Sequence, residues 1–167
     1  MRRFCALIVL LCCLTLCGCG RGESPRRDRV PEWPFAMTAS LRLQTTDVSF
    51  FADWTYRDSQ STFVLQTPQE LVGVTMVCNA VENRIESGGV ETDLPQQSAF
   101  VLLDRAYRAL TDGMVEPQRT QEGWLYDGMD RYGFEALCDA DGSLRIRFPK
   151  ADAEAAFTVA AIGENAG

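Results

Sequence analysis

The sequence predicts an α+β domain in which a mostly antiparallel β-sheet is joined by one main helix. Apolar and polar side chains alternate over many short segments, which is the spacing of half-buried strands. Short intervals rich in turn residues separate these segments, so neighbouring strands are expected to pair antiparallel. Apolar spacing typical of a helix occurs in one clear stretch, residues 97–112.

The first three strands are predicted at residues 35–44, 48–57 and 61–67. Apolar residues share one face of the first strand, namely Phe35, Met37, Ala39, Leu41 and Leu43. Alternation of apolar and polar residues further along the chain, in places less regular, predicts more strands at 74–80, 83–87, 90–94, 115–120, 123–127, 132–138, 144–148 and 157–161. Gly88-Gly89 and the run from Asp139 to Gly142 supply turns between them.

The predicted helix at 97–112 carries a single apolar stripe. Its members are Ala99, Phe100, Leu103, Ala106, Tyr107 and Leu110. Asp104 and Arg108 stand one turn apart, and we expect them to pair on the outer face. Pro95 precedes the helix and Gly113 follows it, as is usual at helix ends.

The N-terminal segment has the pattern of an export signal that ends in a lipid-attachment site. Arg2 and Arg3 precede an uncharged apolar run at 4–16, which is too short to cross a hydrocarbon layer of about 30 Å. The sequence Leu16-Cys17-Gly18-Cys19 then resembles the lipobox of bacterial lipoproteins. The resemblance implies cleavage after residue 18 and acyl chains, such as palmitate, on Cys19. An ordinary signal peptide or an uncleaved anchor is the alternative.

Domain boundaries follow from this pattern. Residues 1–18 are the predicted cleaved signal, and 19–34 are the lipidated Cys19 with a flexible tether rich in Pro and Arg. The tether arginines either lie on anionic lipid head groups or form a solvated linker. Residues 35–162 are predicted to form one domain, and 163–167 a frayed tail.

Charge and cysteine content narrow the possible classes of protein. The net charge of −7 becomes −9 when Arg2 and Arg3 leave with the signal, and such acidity disfavours nucleic acid as a partner. Of the seven cysteines, only Cys78 and Cys138 fall in the predicted domain. Export permits a disulfide between them, and two half-buried thiols on separate strands are the alternative.

The chain lacks the residues that most catalytic and metal sites require. It has no histidine, which removes Ser-His-Asp and Cys-His catalysis and histidine zinc sites. The run from Asp139 to Gly142 differs from a calcium loop because its glycine comes too early and no glutamate follows at the required distance. We therefore expect neither an enzyme nor a bound cofactor or metal.

The order of elements resembles small bacterial lipoproteins related to the LolA and LppX carriers. The resemblance rests on an opening strand hairpin, the step Pro68-x-x-Leu71-x-Gly73, a Pro-led helix and closing strands. It implies a curved antiparallel sheet, an incomplete barrel, with the helix on its concave face and apolar space for acyl chains or lipoproteins between them. The carriers begin with a helix, which prolines at 25, 31 and 34 forbid here.

Together these features predict a monomeric lipoprotein, anchored on the extracytoplasmic face of a plasma or outer membrane, that binds a lipid or other hydrophobic ligand. The candidate cavity lining is Phe35, Met37, Leu41, Phe50, Trp54, Phe63, Met76, Phe100, Leu103, Tyr107 and Phe134. An ordinary packed core explains the same residues. The alternative function is therefore an envelope interaction or structural module with a filled core.

Replacing the predicted lipid-attachment residue, Cys19→Ser, should release the protein from the membrane. Stable attachment requires the acyl chains on that thiol, because no apolar side chain in the tether binds a membrane as strongly as those chains do. Fractionation of cells into membrane and soluble material measures the change, with Cys17→Ser as the matched control that should stay in the membrane. Membrane-bound Cys19→Ser protein would contradict the lipobox interpretation.

Overall fold

The computed structural model describes residues 30–139, 142–158 and 160–161. The predicted signal segment, Cys19 and the tail at 163–167 lie outside the described residues, as does the tether up to residue 29. Within the described part of the chain, no helix is long and apolar enough to span a membrane.

The described residues form one antiparallel sheet with a long helix and a short one. The strands are β1 (Met37–Thr45), β2 (Ser49–Arg57), β3 (Gln60–Thr67), β4 (Thr75–Cys78), β5 (Asn83–Ser87), β6 (Val90–Asp93), β7 (Pro117–Arg119), β8 (Gly123–Gly128), β9 (Phe134–Asp139), β10 (Ser143–Phe148), β11 (Ala153–Thr158) and β12 (Ala160–Ala161). The helices are α1 (Ala99–Thr111) and α2 (Met129–Tyr132).

The sheet runs in the order β6-β5-β4-β3-β2-β1-β11-β10-β9-β8-β7, with β12 beside the start of β1. β1 lies near its centre, where Leu41 pairs with Ala52 of β2 on one side and with Phe157 of β11 on the other. The first and last long strands of the domain are thus neighbours. Among the described residues, β6 and β7 form the two edges of the sheet.

The sheet is strongly curved, because α1 contacts strands that are far apart in it. The helix packs on β3 and β4 and also on β10. Four strands, β3, β2, β1 and β11, lie between β4 and β10 in the sheet. Neighbouring strands are about 4.8 Å apart, so in a flat sheet β4 and β10 would be about 24 Å apart. A helix is only about 10–12 Å wide. The predicted α+β fold, an open curved antiparallel sheet with one main helix, is confirmed.

Alternation in β1 places alternate side chains in the core, as predicted. Met37, Ala39, Leu41 and Leu43 are buried, and the residues between them are exposed. The β2–β3 hairpin turns through Asp58 and Ser59, both with φ near +55°, at 53° and 59°. This is the backbone of a type I′ turn, whose twist matches the flanking strands.

The structure corrects three details of the predicted elements. The last long strand, β11, begins at Ala153 rather than near Phe157. A helical turn, α2, occupies the interval before β9, and it ends at Gly133 in the left-handed conformation. The helix α1 begins at Ala99, two residues later than predicted, and Gly113 with φ of 65° follows its end.

Truncating the central aromatic residue of β2, Trp54→Ala, should lower the free energy of unfolding by about 3–5 kcal/mol. Trp54 is fully buried, whereas Phe51 on the opposite face of the same strand is 48% exposed. Phe51→Ala is therefore the matched control and should cost less than about 1 kcal/mol. Urea unfolding of both variants measures the difference. Equal losses would contradict the assignment of the two faces.

Candidate functional site

The predicted lining residues largely come together on the concave face. Nine of them lie in one buried cluster, namely Met37, Leu41, Trp54, Phe63, Met76, Phe100, Leu103, Tyr107 and Phe134. Phe50 is half-buried and packs against this cluster. Phe35 precedes β1 and is 68% exposed, so the structure does not place it on the concave face.

Aromatic rings fill the centre of this interior, between α1 and the middle of the sheet. The ring centroid of Trp54 lies 5.0 Å from that of Tyr107, 4.7 Å from Phe157 and 5.4 Å from Phe63. Tyr107 also contacts Tyr56, at 4.7 Å. Rings at these separations are in direct contact, and most of the pairs are edge-to-face. The centre of the interior is therefore packed side chain against side chain.

The indole N–H of Trp54 is an unpaired donor in this apolar centre. Its nitrogen is buried and has no hydrogen-bond partner among the described residues. A buried donor without a partner costs about 1–3 kcal/mol, because it has lost its hydrogen bond to water. The interior thus presents one polar group to which an acceptor atom, such as a carbonyl oxygen, is complementary.

The expectation that the Asp104–Arg108 pair lies on the outer face of the helix is wrong. The pair forms, with Arg108 Nη2 2.5 Å and Nε 2.9 Å from Asp104 Oδ2, but Asp104 is fully buried. The reason is the curvature of the sheet, which brings β3 and β4 over this side of α1 and widens its buried face. Val101 and Ala109, outside the predicted stripe, are buried as well.

Burial raises the pKa of the Asp104 carboxyl, although Arg108 opposes this shift. Ser61 on β3 also favours the charged form. Ser61 Oγ and Asp104 Oδ1 are nevertheless both buried and do not reach hydrogen-bond geometry with any described residue. Only one of the two carboxylate oxygens, Oδ2, therefore has a hydrogen-bond partner among the described residues. This is the most polar part of the interior.

The two cysteines of the domain are both buried thiols. Cys78 lies on β4 and Cys138 on β9, and the order of the sheet puts β3, β2, β1, β11 and β10 between them. The structure therefore contains two thiols on separate strands rather than a bridge. Burial, reinforced by the nearby Asp104 carboxylate, raises the pKa of Cys78 to about 12. This raised pKa disfavours the thiolate form of Cys78 at neutral pH.

The end of the predicted tether packs on the domain. Trp33 contacts the core cluster, and its ring lies 5.5 Å from that of Tyr126 on β8. The hydroxyl of Tyr107 donates a hydrogen bond of 3.1 Å to the carbonyl oxygen of Pro34. Residues 33–34 thus connect α1 with β8, and we call them the strap. The sequence places them in a flexible segment, but contact with the domain already begins at Trp33.

Burial raises the pKa of Tyr126 to about 12, although the nearby indole of Trp33 opposes this shift. The Trp33 nitrogen and the Tyr126 hydroxyl are nevertheless buried without a partner in hydrogen-bond geometry among the described residues. The two side chains are therefore in contact through their rings while their polar atoms stay unpaired.

A separate surface cleft of about 300 Å³ lies where β1, β10 and β11 meet. Its lining is polar and includes Thr46, Arg147 and Asp152, and the Thr46 hydroxyl donates to Asp152 Oδ2 at 2.6 Å. None of the apolar candidates lines this cleft. No group of side chains able to hold a metal ion occurs among the residues that the structure describes.

Comparison with known proteins gives a similarity to solved structures only at the level of the fold. No protein-family model matches the chain, and no curated protein matches it. Among solved structures, the chain is similar to a LolA superfamily protein from Nitrosomonas europaea, with 10% identity and a TM-score of 0.42. The similarity covers 83% of this chain and 89% of that one.

Neutralising the buried carboxyl, Asp104→Asn, should change how stability depends on pH. Because its pKa is raised above the ordinary 3.8, the folded protein binds this proton more tightly than the unfolded chain. The charged form is the less stable one, so the wild type should lose stability relative to Asp104→Asn as the pH rises from 3.8 through the raised pKa.

Urea unfolding at several pH values measures this difference, with the exposed Asp47→Asn as the control for a change of charge alone. The loss has an upper limit of about 1.4 kcal/mol for each unit by which the pKa is raised. A wild type that gains stability relative to Asp104→Asn over this range would show that the carboxyl prefers its charged form.

Proposed function

We propose that this chain is a membrane-anchored extracytoplasmic lipoprotein whose domain binds an acyl-chain ligand between the sheet and α1. The observation that supports the ligand is the unpaired indole N–H of Trp54 in the centre of an apolar interior. An acyl chain suits the surrounding side chains, and its carbonyl oxygen provides the acceptor that the indole lacks.

The architecture is compatible with entry of such a ligand. The long helix α1 covers the concave face. It is held there by side-chain contacts, whereas the strands are held to each other by backbone hydrogen bonds. Its contacts are aromatic rings such as Tyr107 and Phe100 against the sheet. Because the rings fill the centre, binding requires α1 or the strap to move away from the sheet.

The anchor and the location belong to the same proposal. The pattern around Cys19 supports lipidation, and the strap supports a short connection, because only thirteen residues lie between Cys19 and Trp33. Fully extended, they span at most about 50 Å. We propose that the domain is a monomer close to the extracytoplasmic face of the membrane that carries it, either a plasma membrane or an outer membrane.

We further propose a binding rather than a catalytic role. The chain has no histidine, and the raised pKa of Cys78 disfavours a thiolate nucleophile at neutral pH. Arg108 pairs with the buried Asp104 within α1, so this carboxylate is not free to act as a general base.

An envelope interaction or structural module is the second candidate. The ring separations of 4.7 to 5.5 Å around Trp54, Tyr107 and Phe100 favour it, because they describe a core that is full as it stands. In that case a protein partner meets the outer surface. Exposed apolar side chains such as Val72 and Val90 offer contacts there.

Native mass spectrometry of a soluble Cys19→Ser form tests the first candidate. We expect an added mass of one acyl compound, and uptake of a fluorescent fatty acid by ligand-free protein. Trp54→Phe keeps an aromatic ring and removes the N–H, so it should weaken uptake about fivefold, the equivalent of about 1 kcal/mol. The matched control is Trp124→Phe on β8, which should bind as the wild type does.

Repeated preparations without ligand and without uptake would eliminate the lipid-binding proposal. Crosslinking of the anchored protein to one envelope protein would then support the second candidate.

A further inference from the structure

We infer that the strap, Trp33–Pro34, closes the acyl-chain site and that the ligand binds by displacing the Trp33 side chain. This inference rests on the proposed ligand-binding function and adds to it the place of entry. It also assigns the segment between membrane anchor and domain a role in controlling access.

The position of the strap is the first argument. Trp33 contacts Tyr126 of β8, and the next residue accepts a hydrogen bond from Tyr107 of α1. The strap therefore connects the helix with the β8 side of the sheet. Movement of the strap away from Tyr126 separates these two parts without breaking a strand pairing.

The strap is also weakly held. Residues 30–34 form neither strand nor helix, and Pro31 and Pro34 have no backbone N–H to contribute to a ladder. The Trp33 nitrogen and the Tyr126 hydroxyl are both buried and have no partner in hydrogen-bond geometry among the described residues. Displacing Trp33 lets water or a ligand satisfy both groups, which lowers the cost of opening.

The surface next to the strap suits a linear acyl chain. The inward row that starts at Tyr126 continues across the sheet through Ala136, Ile146 and Ala155, which pair in succession on β9, β10 and β11. These residues are buried, and the three beyond Tyr126 are aliphatic, two of them alanines. A row of aliphatic side chains, two of them small, suits a polymethylene chain better than a bulky ring system.

Trp33→Ala in the soluble Cys19→Ser form tests the inference. If the strap competes with the ligand, its removal raises the population of open protein, and the variant should bind a dansyl-labelled undecanoic acid about tenfold more tightly than the parent protein. Phe35→Ala is the matched control, because it removes an exposed aromatic side chain from the same segment. Its affinity should equal that of the parent protein.

Tyr107→Phe is a second variant that keeps the ring in the core and removes the hydrogen bond to Pro34. It should tighten binding by a few-fold. Hydrogen exchange of residues 30–36 should also accelerate when the parent protein is saturated with the probe.

The outcomes distinguish a failure of the strap inference from a failure of the proposed binding function. Equal affinity of the parent and Trp33→Ala proteins would overturn the inference that the strap closes the site, and it would leave the ligand site in place. Weaker binding by Trp33→Ala would make Trp33 part of the ligand site, which also overturns displacement. If none of the proteins binds the probe, both the strap inference and the proposed function are overturned.

Discussion

The contact between Tyr107 and the aromatic residues of the sheet is the interaction on which the rest of the structure depends. Its ring joins α1 to β2 through Trp54 and Tyr56, and to β11 through Phe157. Its hydroxyl reaches the carbonyl of Pro34. One side chain therefore connects the helix, the middle of the sheet and the strap, so the position of α1 determines how open the interior is.

Much of the fold follows from local sequence. Alternation in β1 and β2 sets which side chains enter the core, and the stripe of α1 sets which of its faces meets the sheet. The burial of most candidate lining residues could be predicted for the same reason, since burial on one face requires no knowledge of the partner strand. Phe35 is the exception, because the pattern continues to that residue while the strand begins at Met37.

The features that the sequence did not reveal depend on distant parts of the chain. Burial of Asp104 requires β3 and β4 to curve around α1, and helical spacing alone places an Asp–Arg pair in solvent. Docking of Trp33 depends on Tyr126, which is far away in sequence. A tryptophan between two prolines in a polar tether was the one available signal, since an aromatic residue gains little from remaining in water.

The pairing of β1 with β11 has a consequence for how the protein is made. The strand at the centre of the sheet finds its second neighbour only near the end of the chain. During synthesis, β1 to β6 emerge long before β11, and they cannot complete the central ladder until it follows. For a chain proposed to be exported, this late closure delays stable folding of the domain until β11 has left the ribosome.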